Sequence, residues 1–81
     1  MELSAAQLAI LQAMAQAQTL KSHRDLEGVK VFQLHALDGT LKNVDWEAVE
    51  ALQEAGLIDS NKKFPAATYW LTEAGKKYAS L

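Results

Sequence analysis

The stretch that decides the fold is DWEAVEALQEAGLI, residues 45–58. Asp45 is a good helix N-cap, because its short side chain accepts hydrogen bonds from the free backbone N–H groups of a first turn. Gly56 stands where a left-handed glycine closes a helix, and Leu57 follows at the position that packs back on the last turn. These signals predict a helix over residues 46–55.

Two short strands and a last helix are predicted downstream. Residues 57–59 and 68–71 have the apolar, β-branched and aromatic composition of strands, and the polar segment 60–67 between them contains the chain's single proline. Thr72 is a natural N-cap, and Glu73 suits the positive end of a helix dipole. We therefore predict a hairpin that a C-terminal helix closes.

The sequences VEALQEAGLI (49–58) and YWLTEAGK (69–76), separated by a short hairpin, resemble the winged-helix regulators of the MarR and PadR types. In that family the pattern L-x-x-x-G-L-I, wing, x-L-T-x-x-G joins a recognition helix to a wing and a closing helix. The resemblance covers residues 44–79 and implies that residues 46–55 correspond to the recognition helix. Winged helices that bind only proteins share the pattern, so it implies architecture more strongly than target.

An N-terminal helix is predicted over residues 5–18. Ser4 and Gln7 have the S-x-x-Q spacing of a capping box. The body is almost entirely Ala, Leu, Gln, Ile and Met, most of which are good helix formers, and Leu11 and Met14 fall on its apolar face. Because the helix carries no charge, we expect it to pack against the core rather than bind phosphate.

Residues 19–44 admit two interpretations. Asp38-Gly39 between apolar flanks is a strong hairpin signal, and the segment before it is rich in β-branched and aromatic residues. We predict a meander whose strands are residues 20–24, 29–37 and 40–44. The rival is a helix over residues 26–37, which would supply the first helix of a helix-turn-helix. Gly28 and two β-branched residues weaken that helix.

Together these elements predict an α+β fold, a small winged-helix-like domain. Its order is an N-terminal helix, a β-hairpin or meander, a second helix, a wing hairpin and a short C-terminal helix. With 81 residues the chain has room for one domain, so we expect residues 1–81 to form a single unit.

The sequence gives no indication of enzyme chemistry. It contains no cysteine, phosphate loop, dinucleotide fingerprint or metalloprotease motif. Even if His23 and His35 met across a hairpin, two histidines without a cysteine would be too few ligands for a typical metal site. They are explained more simply as exposed strand residues. We therefore expect a non-enzymatic protein with no catalytic residue, no metal and no cofactor.

Targeting signals are also missing from the sequence. No apolar run approaches the roughly 20 residues that span a bilayer. The first residues lack the basic start of a signal peptide. We expect a cytoplasmic protein with no membrane partner.

The resemblance implies a nucleic-acid-binding accessory or regulatory protein, and the basic residues indicate where it would bind. Lys62 and Lys63 mark the wing, and Lys21 and Arg24 mark the first predicted strand. With Asn61, they are the candidate contacts to phosphates. The net charge of -2 and pI of about 5.5 lower this expectation, because nucleic acid is a dense polyanion.

The alternative is a protein–protein interaction module. Glu47, Glu50 and Glu54 fall together on the exposed side of helix 46–55, where a DNA reader would carry Arg, Lys, Asn or Gln. Facing phosphates, these glutamates would be repelled. The same side would suit a basic protein partner, with Trp46 as an aromatic anchor at its margin.

Three aromatic residues are also assigned by the sequence, and so is the expected oligomeric state. Trp46 and Trp70 are expected at the core or its edge, and Phe64 is expected either to anchor the wing or to stack on a ligand. A homodimer is compatible with both functions. No long extra helix is present, however, to supply the usual dimer interface of winged-helix regulators.

Overall fold

The computed structural model describes residues 2–62 and 66–80. Within them the fold is α+β, with three helices and one five-stranded antiparallel sheet. In chain order the elements are α1 (Ala5–Ala15), β1 (Thr19–Arg24), β2 (Lys30–His35), β3 (Leu41–Val44), α2 (Trp46–Glu54), β4 (Ile58–Ser60), β5 (Ala67–Leu71) and α3 (Glu73–Ala79). The α+β prediction is therefore confirmed.

The capping box predicted for α1 is present. The backbone N–H of Gln7 donates to Ser4 Oγ at 3.1 Å, and the Gln7 side chain accepts from the backbone N–H of Ser4 at 3.0 Å. The helix ends at Ala15, earlier than predicted, because Ala17 takes a left-handed φ of 70° and turns the chain toward β1. This end could not be predicted from the sequence, because the left-handed residue that closes a helix is usually glycine and here it is alanine.

Both predicted ends of α2 are confirmed. Asp45 caps it by accepting from the backbone N–H of Glu47 at 3.1 Å. Gly56 has a φ of 76°, and the N–H of Leu57 donates to the Leu52 carbonyl at 3.0 Å, as a Schellman closure requires.

The meander is confirmed, and the rival helix over residues 26–37 is wrong. β2 pairs antiparallel with β1 on one side and β3 on the other. Asp25 organises the first turn by accepting from the N–H groups of Glu27 and Val29 at 2.9 Å each. Asp38 accepts from the N–H of Thr40 at 2.9 Å in the second. These local bonds favour turns over a continuous helix.

The sheet order is β3-β2-β1-β5-β4, and the described helices pack together on one of its faces. The core between them consists of Ile10, Leu11, Met14, Leu20, Phe32, Leu34, Ala48, Val49, Leu52, Leu57, Ile58, Ala67 and Tyr69. Ser22 is also buried there, and its Oγ has no hydrogen-bond partner among the described residues.

The other face of the sheet, called the open face below, is covered by none of the described helices. By register it carries Thr19, Lys21, His23, Val31, Gln33, His35, Leu41, Asn43, Asp59, Thr68 and Trp70. The two histidines do not meet: His23 lies opposite Val31, and His35 lies opposite Thr19. A shared metal site is therefore ruled out by the register of β1 and β2.

The two tryptophans were predicted to lie in the core or at its edge, and neither is buried in the core. Trp46 is 52% exposed and Trp70 is 46% exposed. Trp46 is the first residue of α2, and the buried residues of this helix begin at Ala48. Trp70 follows the buried Tyr69 in β5, so the pleat turns it to the open face.

The motif L-T-x-x-G ties α3 to the end of α2. The Thr72 hydroxyl donates to the Gly56 carbonyl at 2.6 Å and accepts from the N–H of Gly75 at 3.1 Å. Gly75 is buried, and a Cβ there would collide with the backbone carbonyl of Leu57.

Candidate functional site

Two of the residues predicted to bind nucleic acid, Lys21 and Asn61, lie on the open face, and a third, Lys62, follows Asn61 in the chain. Lys21 is exposed in the middle of β1, opposite Thr68 of β5. Asn61 continues the ladder, because its N–H donates to the Thr68 carbonyl and its side-chain oxygen accepts from the Thr68 N–H, both at 3.2 Å. Lys62 follows directly, exposed and with a φ of 55°. Lys21, Thr68 and Asn61 thus form one row of the open face that leads to Lys62.

Of the two remaining residues, Arg24 is not part of this row. Arg24 lies in β1 on the side of the sheet opposite to Lys21, and its guanidinium donates to the Gly28 carbonyl at 2.8 Å. Lys63 lies outside the described residues, and so does Phe64. The register therefore separates Arg24 from Lys21, although both were predicted to contact phosphates.

The other lysines are spread over the molecule. Lys30 and Lys42 are on the helix side of the sheet, and the ammonium of Lys30 lies 5.2 Å from the centroid of the Phe32 ring. Lys76 is on α3, 3.7 Å from Glu73 in an exposed pair that contributes little stability. The described cations are thus divided between both sides of the sheet instead of joining the meander to the wing.

Acidic groups, in contrast, are gathered on α2. Glu47, Glu50 and Glu54 are all exposed and follow one side of the helix. We call them the acidic face. Within residues 2–62 and 66–80, no lysine or arginine lies within salt-bridge distance of them.

An apolar groove, which we call the Trp46 groove, opens beside the acidic face. It measures about 230 Å³ and is lined by Val29, Lys30, Phe32, Trp46 and Glu50. The Val29 side chain is 56% exposed. Leu26, in the same β1–β2 turn, is fully exposed.

Sequence reasoning singled out Trp46 and the glutamates but missed the other members of this groove. The sequence places Val29 at the start of a predicted strand and Leu26 at the start of the rival helix, and neither pattern points to α2. Val29 lies beside α2 because of the register, which brings Val44 opposite Phe32 and so starts α2 beside the β1–β2 turn. No local sequence signal carries that information.

No protein-family model, curated protein or solved structure matches this chain. None of the described helices is both long and apolar enough to cross a membrane. In the described part of the chain, no three His, Cys, Asp or Glu side chains are grouped so as to hold a metal ion.

Proposed function

We propose that this protein is a small non-enzymatic binding module that docks a basic protein segment on the acidic face of α2. The observation that carries the proposal is that three glutamates, which form no salt bridge with the described residues, lie on the same helix as the half-exposed Trp46, its first residue. Charged rims steer a partner and select it, while a buried aromatic residue supplies much of the binding energy.

The same charges argue against α2 as a reader of DNA. Insertion into a major groove would bring Glu47, Glu50 and Glu54 close to phosphates, and each carboxylate would lose solvation without gaining a partner. A lysine- or arginine-rich protein segment gains ion pairs at the same positions. Charge complementarity therefore favours a protein over a nucleic acid at this surface.

A charge-reversal experiment tests this proposal. Glu50→Lys combined with Glu54→Lys is compared with wild type and with Glu2→Lys combined with Asp59→Lys, a control that changes the net charge equally at exposed positions outside α2, one of them on the open face. Captured partners should disappear only with the α2 variant. An unchanged set of partners would refute docking on the acidic face.

The row formed by Lys21, Thr68 and Asn61 favours a second function, phosphate contact by a nucleic-acid-binding accessory or regulatory protein. Lys62 and the neighbouring Lys63 would extend the row into the wing. Such binding should weaken steeply with salt, with a logarithmic slope of about -0.9 for each phosphate neutralised.

Fluorescence anisotropy with duplex DNA at low salt tests the second function. Lys21→Glu combined with Lys62→Glu should abolish binding, whereas Lys76→Glu combined with Lys77→Glu on α3 should reduce it less. Equal losses in both variants would indicate nonspecific attraction rather than a site on the open face.

We further propose that the domain is a winged-helix variant. Support comes from α2 preceding the β4–β5 hairpin and from the pairing of β5 with both β1 and β4. In this interpretation the β2–β3 hairpin replaces the first helix of the helix-turn-helix. An experimental structure in which β1 and β5 are not neighbours would contradict it.

A further inference from the structure

We propose that the Trp46 groove receives one large apolar side chain of the partner, and that lysines or arginines follow this anchor along α2. The inference rests on the proposed function and specifies its partner: a short basic segment with a single apolar anchor. The argument for this occupant comes from the apolar walls of the groove, the position of Lys30 and the spacing of the glutamates.

The groove has the composition of an anchor pocket. Phe32 is 4% exposed and belongs to the core, while Trp46 and Val29 stand beside it with about half of their surface in water. A leucine or phenylalanine side chain placed between them would bury apolar surface on both partners. Leu26 extends the exposed apolar surface of the same turn.

Lys30 determines which kind of side chain enters. It lines the groove, with its ammonium 5.2 Å from the centroid of the Phe32 ring. A lysine or arginine of the partner would meet this like charge and would lose solvation beside Phe32. An apolar side chain meets neither penalty, so we expect it to occupy the space beside Lys30 and Phe32, with the basic residues of the partner along the acidic face.

The acidic face gives those basic residues their place. Glu47, Glu50 and Glu54 are three and four residues apart, so they lie along one side of α2 and span about 10 Å. Glu50 also lines the groove and therefore joins the two parts of the surface. The partner accordingly carries its anchor at one end and its positive charges over the adjoining length.

Tryptophan fluorescence reports directly on the groove. The chain has two tryptophans, so Trp70→Phe leaves Trp46 as the single emitter. Three synthetic peptides serve as probes: a lysine-rich peptide with one terminal leucine, the same peptide with alanine for the leucine, and a glutamate-rich peptide with the leucine. Each is titrated into the Trp70→Phe protein and into its Glu50→Lys plus Glu54→Lys derivative.

The leucine–lysine peptide should shift the Trp46 emission to the blue and bind at least about tenfold more tightly than the alanine peptide. The glutamate-rich peptide should not bind. Val29→Lys, at an exposed position that leaves the core untouched, should remove the preference for leucine while weak lysine-dependent binding survives.

Other outcomes distinguish failure of the groove inference from failure of the proposed function. If both lysine peptides bind equally and lose affinity with the α2 reversals, the groove inference fails and the proposed function stands. If neither binds, both fail. Sedimentation of the wild-type protein tests whether a second copy of this chain occupies the groove instead. A dimer that Trp46→Ala dissociates would overturn the inference, because it would assign the groove to that second copy. A shift of the Trp46 emission on addition of duplex DNA alone would overturn it as well.

Discussion

Gly75 shows at the scale of one residue why the L-T-x-x-G motif requires glycine. A Cβ at this position would collide with the Leu57 carbonyl, which is held backbone rather than a flexible side chain. We expect Gly75→Ala to lower the free energy of unfolding by about 2–3 kcal/mol, because the backbone must move apart. Ala74→Ser, at the exposed neighbouring position, should change it by less than about 0.5 kcal/mol. Equal effects in urea denaturation would contradict the close contact.

At Ala17 we expect the opposite effect, since glycine should stabilise the protein there. It is exposed and holds a φ of 70° where α1 closes, a conformation that costs an L-residue free energy and costs glycine almost none. Ala17→Gly should therefore raise the free energy of unfolding by about 0.5–1 kcal/mol. Ala9→Gly, at an exposed position inside α1, should lower it by about 1 kcal/mol. A loss of stability in both variants would contradict the left-handed closure.

At the scale of an element, the β2–β3 turn makes a prediction about acidity. Hydrogen bonds from the side chain and the backbone N–H of Thr40 hold the pKa of Asp38 below its ordinary value of 3.8. Because the pKa is lower in the folded state, this contribution to stability is present above the unfolded pKa and is lost as the pH falls through the folded pKa. Thr40→Val should bring the pKa of Asp38 back toward its ordinary value, and Thr40→Ser should preserve the shift. NMR titration of the Asp38 carboxyl decides between these outcomes.

The elements differ in how far sequence predicted them. The ends of α2 and the start of α1 were predictable, because Asp45, Gly56 and Ser4 act through bonds within their own turns. The end of α1 was not, since Ala17 has no local preference for the left-handed conformation it adopts. Propensity thus identifies caps and turns but not strain imposed by the following strand.

At the scale of the whole molecule, the candidate site depends on tertiary arrangement. The helical spacing of Glu47, Glu50 and Glu54 already predicted an acidic face. The Trp46 groove was beyond prediction, because strand register alone brings Val29 to α2. Lys21 and Arg24 are three residues apart in β1, so the alternation of a strand assigns them to opposite sides of the sheet, as the predicted strand over residues 20–24 already implied.

Chemical-shift mapping tests the central claim most directly. The amide spectrum of the isotope-labelled protein is recorded while the leucine–lysine peptide is added. If the acidic face and the Trp46 groove form the docking surface, the largest shifts occur in α2 and in residues 26–30, with little change in Lys21, Thr68 and Lys62. Shifts concentrated on the open face and absent from α2 would contradict the claim.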